Sequence, residues 1–186
     1  LNQMDTALGV FLEQVEALGI YERIAFFLIT DHGMTPFSFT EKTLAAYRDL
    51  LHTLSSCGYT YEVLNGGMGP HPGTDIVLCS AGLSLVLSFV EPANPMEVSR
   101  LKTMLADKPY VGRVMDSNEI QTTGSSDFCD LYISPKPPYI FKDHGPSVGA
   151  THDSLDESSH HIFSLMWGAG IHNGAVITER ISNIDF

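Results

Sequence analysis

Apolar residues recur at three-and-four spacing near the start of the chain: Met4, Leu8, Phe11, Leu12, Val15 and Leu18. That period places them on one face of a helix over 4–18, and Gly19 supplies its C-terminal stop. After the polar Tyr21-Glu22-Arg23 the pattern becomes an unbroken apolar run, Ile24-Ala25-Phe26-Phe27-Leu28-Ile29. A run of that length suits a strand covered on both faces, as in a parallel sheet. A helix followed by a buried strand is the building unit of an α/β fold. Helical spacing returns over 41–54, where Leu44, Tyr47, Leu50, Leu51 and Leu54 face inward. Thr40 caps the start of that helix, and Gly58 stops the chain beyond it.

Between 59 and 134 the texture changes. Short strand-like runs at 59–64, 75–79, 83–90, 110–115 and 130–134 surround one helix at 95–106, with Pro95 fitting its first turn. This reads as a smaller α+β subdomain, 59–134, inserted into an α/β core made of 1–58 and 135–186. Turn formers mark its borders: the loop Asn65-Gly66-Gly67-Met68-Gly69-Pro70-His71-Pro72-Gly73 and the segment Pro135-Lys136-Pro137-Pro138. The run 162–167 then returns as a second buried strand, ended by Gly168-Ala169-Gly170. Neither an internal repeat nor a low-complexity tract is visible.

Composition narrows the classes of function. The chain has 186 residues, 44% of them hydrophobic, which is enough for a sizeable core. Ten Lys and Arg stand against 22 Asp and Glu, a net charge of −12, which excludes a basic surface for nucleic-acid polymers or anionic membranes. No apolar run reaches the roughly 18 residues of a membrane span, and the start lacks the pattern of a secretory signal. Cys57, Cys79 and Cys129 are odd in number and widely spaced, so they form neither a disulfide framework nor a CxxC metal knuckle. Free thiols lean toward a reducing, cytoplasmic compartment. The chain opens on Leu1 inside a helical pattern and closes on Phe186 with no tail, as expected of a piece of something longer.

Chemistry concentrates in two places. Thr30-Asp31-His32-Gly33-Met34 follows the first apolar strand, and in open parallel sheets ligands gather at the carboxyl ends of strands. Asp31 and His32 converge only if the backbone has already left the strand, a turn that Gly33 permits. A carboxylate oxygen beside an imidazole nitrogen suits zinc or manganese better than calcium or magnesium. On local features alone, an Asp capping a turn beside an exposed His is an equal reading. The second concentration, 149–161, holds His152, His160 and His161 with Asp153, Asp156 and Glu157. Much of it resembles a solvated loop, and His160 or His161 suits the start of a strand. His144 repeats the Asp-His-Gly letters in a Pro-rich loop, whereas His52, His71 and His172 suit structural or exposed roles. There is no GxSxG elbow and no GxxxxGK[ST] phosphate loop.

Taken together, the helix, the strand ending in Thr30-Asp31-His32-Gly33-Met34 and the distant Gly149-Ala150-Thr151-His152 resemble the alkaline phosphatase superfamily. Within it, the type I phosphodiesterase/nucleotide pyrophosphatase family is the nearest match. Three blocks carry the resemblance: 4–9 leading to Asp-His-Gly-Met, Asp130-Leu131-Tyr132-Ile133-Ser134 with its Pro-Tyr sequel, and the run from Thr151 through Ile171. The final segment 181–186 also resembles a junction of that family.

The resemblance implies a mostly parallel sheet flanked by helices, with two divalent ions, zinc or else manganese, clamping a phosphoryl group. By position, Asp31 and His32 would ligate one ion and His152 the other. The substrate would be a small phosphoester or phosphodiester. A phosphonoacetate-type phosphonate hydrolase is a close alternative, and a non-catalytic remnant of the fold is one from another class. The family's nucleophilic Thr or Ser, an early Asp ligand and an Asp-x-x-x-His pair have no counterpart here. They are expected in a missing N-terminal half of the same protein, without which this chain is inactive. Asp153 and Phe163 depart from the pattern, standing where Gly and Pro are common.

Overall fold

The computed structural model describes residues 2–64, 68–125 and 128–179. Part of the loop 65–73 and the whole of the segment 181–186 lie outside them. Along the chain run α1 (Asn2–Ala17), a 3-10 turn (Tyr21–Arg23), β1 (Ala25–Ile29), β2 (Thr35–Ser38), α2 (Glu41–Ser56) and β3 (Tyr61–Val63). Then follow β4 (Ile76–Ala81), β5 (Ser84–Phe89), α3 (Pro95–Ala106), β6 (Val111–Asp116) and α4 (Ser117–Thr122). The last elements are β7 (Leu131–Pro135), β8 (Val148–Thr151), α5 (Glu157–His160) and β9 (Ser164–Gly168). The class is mixed α/β, and the chain divides into two compact units, one built from 1–31 and 162–186 and the other from 32–161.

In the first unit β1 pairs antiparallel with β9, from Ala25 opposite Gly168 to Ile29 opposite Ser164. Phe26 stacks on Trp167 with centroids 5.1 Å apart, and Phe11 of α1 meets it edge-on at 6.3 Å. Phe26 and Val15 are buried. The run 24–29 was expected to be covered on both faces, but Phe27, Leu28 and Ile29 are exposed. Among the described residues this sheet has two strands, and the aromatic cluster covers only the Phe26 side chain.

The second unit holds a five-stranded sheet in the order β3-β4-β5-β7-β6. Alternation sends Ile76, Leu78, Leu85, Leu87, Leu131 and Ile133 to one face, where they pack with Leu50 and Leu54 of α2 and Leu101 and Leu105 of α3. Each Leu or Ile fully removed from water contributes about 1.5–3 kcal/mol before entropy is counted. Three helix starts are capped reciprocally, by Thr40 with Thr43, Asn94 with Glu97 and Asp116 with Glu119. Of the expected helices, α2 begins at Glu41 behind its Thr40 cap, and α3 spans the expected 95–106.

The expected predominance of parallel pairing is not met. Among the described strands β3–β4 is the parallel pair, and the other pairings are antiparallel. One cause is local: only Gly82 and Leu83 separate β4 from β5, and a two-residue link can join only antiparallel strands. The boundaries drawn from sequence at 58/59 and 134/135 also differ from the observed division at 31/32 and 161/162. Helix α2 and Phe141 pack into the same core as the five-stranded sheet, which joins them to it physically. No helix among the described residues is long and apolar enough to cross a membrane.

Candidate functional site

A short antiparallel pair, β2 with β8, organises the site. Its register sets Thr35 opposite Thr151 and Phe37 opposite Gly149. Gly149 leaves room for the buried Phe37 ring, which a Cβ at 2.7 Å would force to shift. Just beyond the Thr35–Thr151 end of this ladder the chain turns through His32-Gly33-Met34 on one side and His152-Asp153 on the other. Pairing residues 116 apart in sequence thus brings the two sequence motifs to one place, with the His32 and His152 rings 4.2 Å apart between centroids and tilted by 32°.

Each ring is oriented through its Nδ1. His32 Nδ1 donates to the carbonyl of Gly33 at 2.9 Å, and the Asp153 carboxylate sets its Oδ2 2.9 Å from His152 Nδ1 as an ion-pair contact. Both partners only accept, so in the neutral ring they favour the tautomer with the proton on Nδ1 and the lone pair on Nε2. That is the tautomer in which an imidazole ligates a divalent ion through Nε2, with a carbonyl or carboxylate behind it. The donor chemistry of the pair therefore fits zinc or a similar ion.

The backbone beneath the pair is tightly held. Gly33 donates its N–H to the Ser159 carbonyl at 2.9 Å, and a Cβ on Gly33 would lie 2.0 Å from the Ser158 carbonyl oxygen. Close approach, more than a turn, is what demands Gly33. Two residues on, buried Thr35 gathers three hydroxyls around its Oγ1: Ser154 at 2.9 Å, Ser158 at 2.8 Å and Ser159 at 2.7 Å. The proton order follows from donor counting. Ser158 gives its proton to Asp156 Oδ1, so it must accept from Thr35, and Ser154 and Ser159 then donate to Thr35. The Ser158 hydroxyl, and then its N–H, hold the Asp156 carboxyl below the usual carboxylate range.

Asp31, the third expected ligand, closes the first unit immediately before His32 and is exposed. Among the described residues, no group of three His, Cys, Asp or Glu side chains gathers into a ready-made metal cage. His144 lies exposed on a loop, bonded through Nδ1 to Asp143. His160 ends α5 and His161 caps it, both exposed, while His71 is bound to Glu62. Sequence reasoning singled out His32 and His152 but passed over Thr35, Ser154 and Ser159. Buried hydroxyls carry no periodic signature, and Pro36 masked β2 as a strand. A scan against models of protein families returns no match, and a search of curated proteins also finds none.

Proposed function

We propose that the protein is a metal-dependent hydrolase of phosphoester or phosphodiester bonds. Asp31 and His32 would hold one divalent ion and His152 a second. The observation that carries this reading is the approach of the two imidazoles, each with its Nδ1 engaged so that Nε2 is the ligating atom. Ions bound there would polarise the phosphoryl oxygens and stabilise charge on the attacking and leaving oxygens. The chain's own contribution is orientation: Gly33, Thr35 and the serines of 154–159 fix the turn bearing His32, and Asp153 fixes the ring of His152. On this reading, the nucleophile and remaining ligands come from further strands of the same protein. The exposed apolar side chains of β1 support a larger sheet.

The test is elemental analysis of the complete gene product, with hydrolysis of a chromogenic phosphodiester and of phosphonoacetate, each with and without chelator. The expected result is about two ions per chain and chelator-sensitive phosphodiester turnover. Asp31→Ala, His32→Ala and His152→Ala should each lower metal content and turnover together, while His160→Ala and His161→Ala leave metal content unchanged. Activity confined to phosphonoacetate would move the assignment to a phosphonate hydrolase. Neither metal nor turnover would leave a non-catalytic module of the same fold.

A further inference from the structure

Asp153 is the one non-glycine residue among those described with a positive φ, at 63°. An L side chain is strained there, so something must hold the backbone in place. The structure supplies the clamp from two strands of the five-stranded sheet and from the turn between β4 and β5. The Asp153 carbonyl accepts from Ser84 Oγ at 2.6 Å and from the Tyr132 hydroxyl at 2.8 Å, and Ser84 is wholly buried. Beside them Gly82 leaves the necessary room: a Cβ there would lie 2.3 Å from the His152 carbonyl oxygen and 2.6 Å from Asp153 Cβ. In extended backbone, neighbouring side chains point to opposite faces. Held in the left-handed region, Asp153 instead turns its carboxylate back onto the imidazole of the preceding residue, at 2.9 Å from Nδ1.

We infer that Asp153 is a positioning residue for His152, its carboxylate locking the imidazole in the Nδ1–H tautomer and so presenting Nε2 as the ligating atom. The link to metal binding rests on the function proposed above, but the tautomer lock stands independently of it. A carboxylate behind a ligating imidazole raises the basicity of the ligand, and its removal lowers metal affinity about 10–100-fold. The clamp also gives the sheet of the second unit a role in the chemistry, because Ser84 and Tyr132 act on the site through Asp153, and Gly82 through Asp153 and the His152 carbonyl.

Two readouts test the inference on wild type, Asp153→Gly, Asp153→Asn and Tyr132→Phe. The first is the ¹⁵N pattern of the His152 ring in metal-free protein at about pH 9, well above the ordinary imidazole pKa of about 6.5. Wild type should show Nδ1–H, and Asp153→Gly should move the ring toward Nε2–H. Asp153→Asn, whose amide oxygen still accepts, should keep Nδ1–H. Tyr132→Phe, which loosens the clamp, should give a smaller shift in the direction of the Gly variant. The second readout is zinc affinity, expected to fall about 10–100-fold in Asp153→Gly while thermal stability holds or rises, since Gly relieves the strained φ. Retention of Nδ1–H in Asp153→Gly would overturn the inference. Failure of wild type to bind zinc would instead sink the metal reading and leave the ring pattern to decide the role of Asp153.

Discussion

In the second unit Leu78, Leu85, Leu87, Leu131 and Ile133 are completely removed from solvent, whereas in the first the equally apolar run 24–29 leaves Phe27 55%, Leu28 39% and Ile29 40% exposed. The two stretches are similar in composition and both form strands. They differ in what lies over them. Helices α2 and α3 cover one face of the five-stranded sheet, while Val15 is the buried residue that α1 contributes to its own unit. An apolar run records a demand for cover, and the cover itself comes from elements elsewhere in the protein. On the function proposed above, further strands of the same protein would supply that cover for β1.

The largest effect that would sharpen this contrast comes from Leu87→Ala, which leaves a cavity in a closed core. It should cost about 2–5 kcal/mol in urea unfolding followed by circular dichroism. A loss below 1 kcal/mol would mean that the sheet is less tightly covered than its exposure implies. Next is Gly82→Ala, which forces a side chain against the His152 carbonyl at a left-handed position. About 1–3 kcal/mol should be lost, together with the nuclear Overhauser contact between the His32 and His152 rings. A stable variant that keeps that contact would show that Gly82 does not shape the site.

A smaller effect concerns charge in the second unit. Hydrogen bonds from Lys102 hold the Asp116 and Glu119 carboxyls below the usual range. A depressed folded pKa contributes stability that is present above the ordinary carboxylate value of about 4 and disappears as pH falls through the folded value. All three side chains are partly exposed, so solvent screening limits the whole contribution to about 1 kcal/mol. Lys102→Met should lower the urea midpoint at neutral pH, and the gap from wild type should close at about pH 2. An unchanged gap in acid would assign the loss to packing of the lysine stem.

Least costly to stability should be Leu28→Ser and Leu165→Ser in the first unit, within about 0.5 kcal/mol because both side chains already face water. Their readout is surface chemistry, with reduced binding of a hydrophobic dye and reduced self-association. Dye binding equal to that of wild type would place the sticky surface elsewhere.

Much of the local structure was legible from sequence because it depends on neighbours. Thr40 capping α2, Pro95 opening α3 and the alternating strands of the five-stranded sheet follow from rules that act over a few residues. The identities of His32 and His152 were legible too, through the letters around them. Their adjacency was not. It is set by the β2–β8 pairing, and neither Thr35-Pro36-Phe37-Ser38 nor Val148-Gly149-Ala150-Thr151 has the apolar alternation that announces a strand.

By itself, then, the sequence determined the long helices, where α2 and α3 start, the strands of the five-stranded sheet, and which side chains are of a type that can hold a metal ion. Tertiary structure alone decided that β1 buries Phe26 and leaves its other side chains exposed, that two imidazoles 120 residues apart stand 4.2 Å from each other, and that Asp153 takes a glycine-like backbone to orient one of them. The physical reason is range. Capping and periodicity act within a turn or a strand, whereas cover, ladder register and a backbone clamp each require a partner whose position no local pattern encodes.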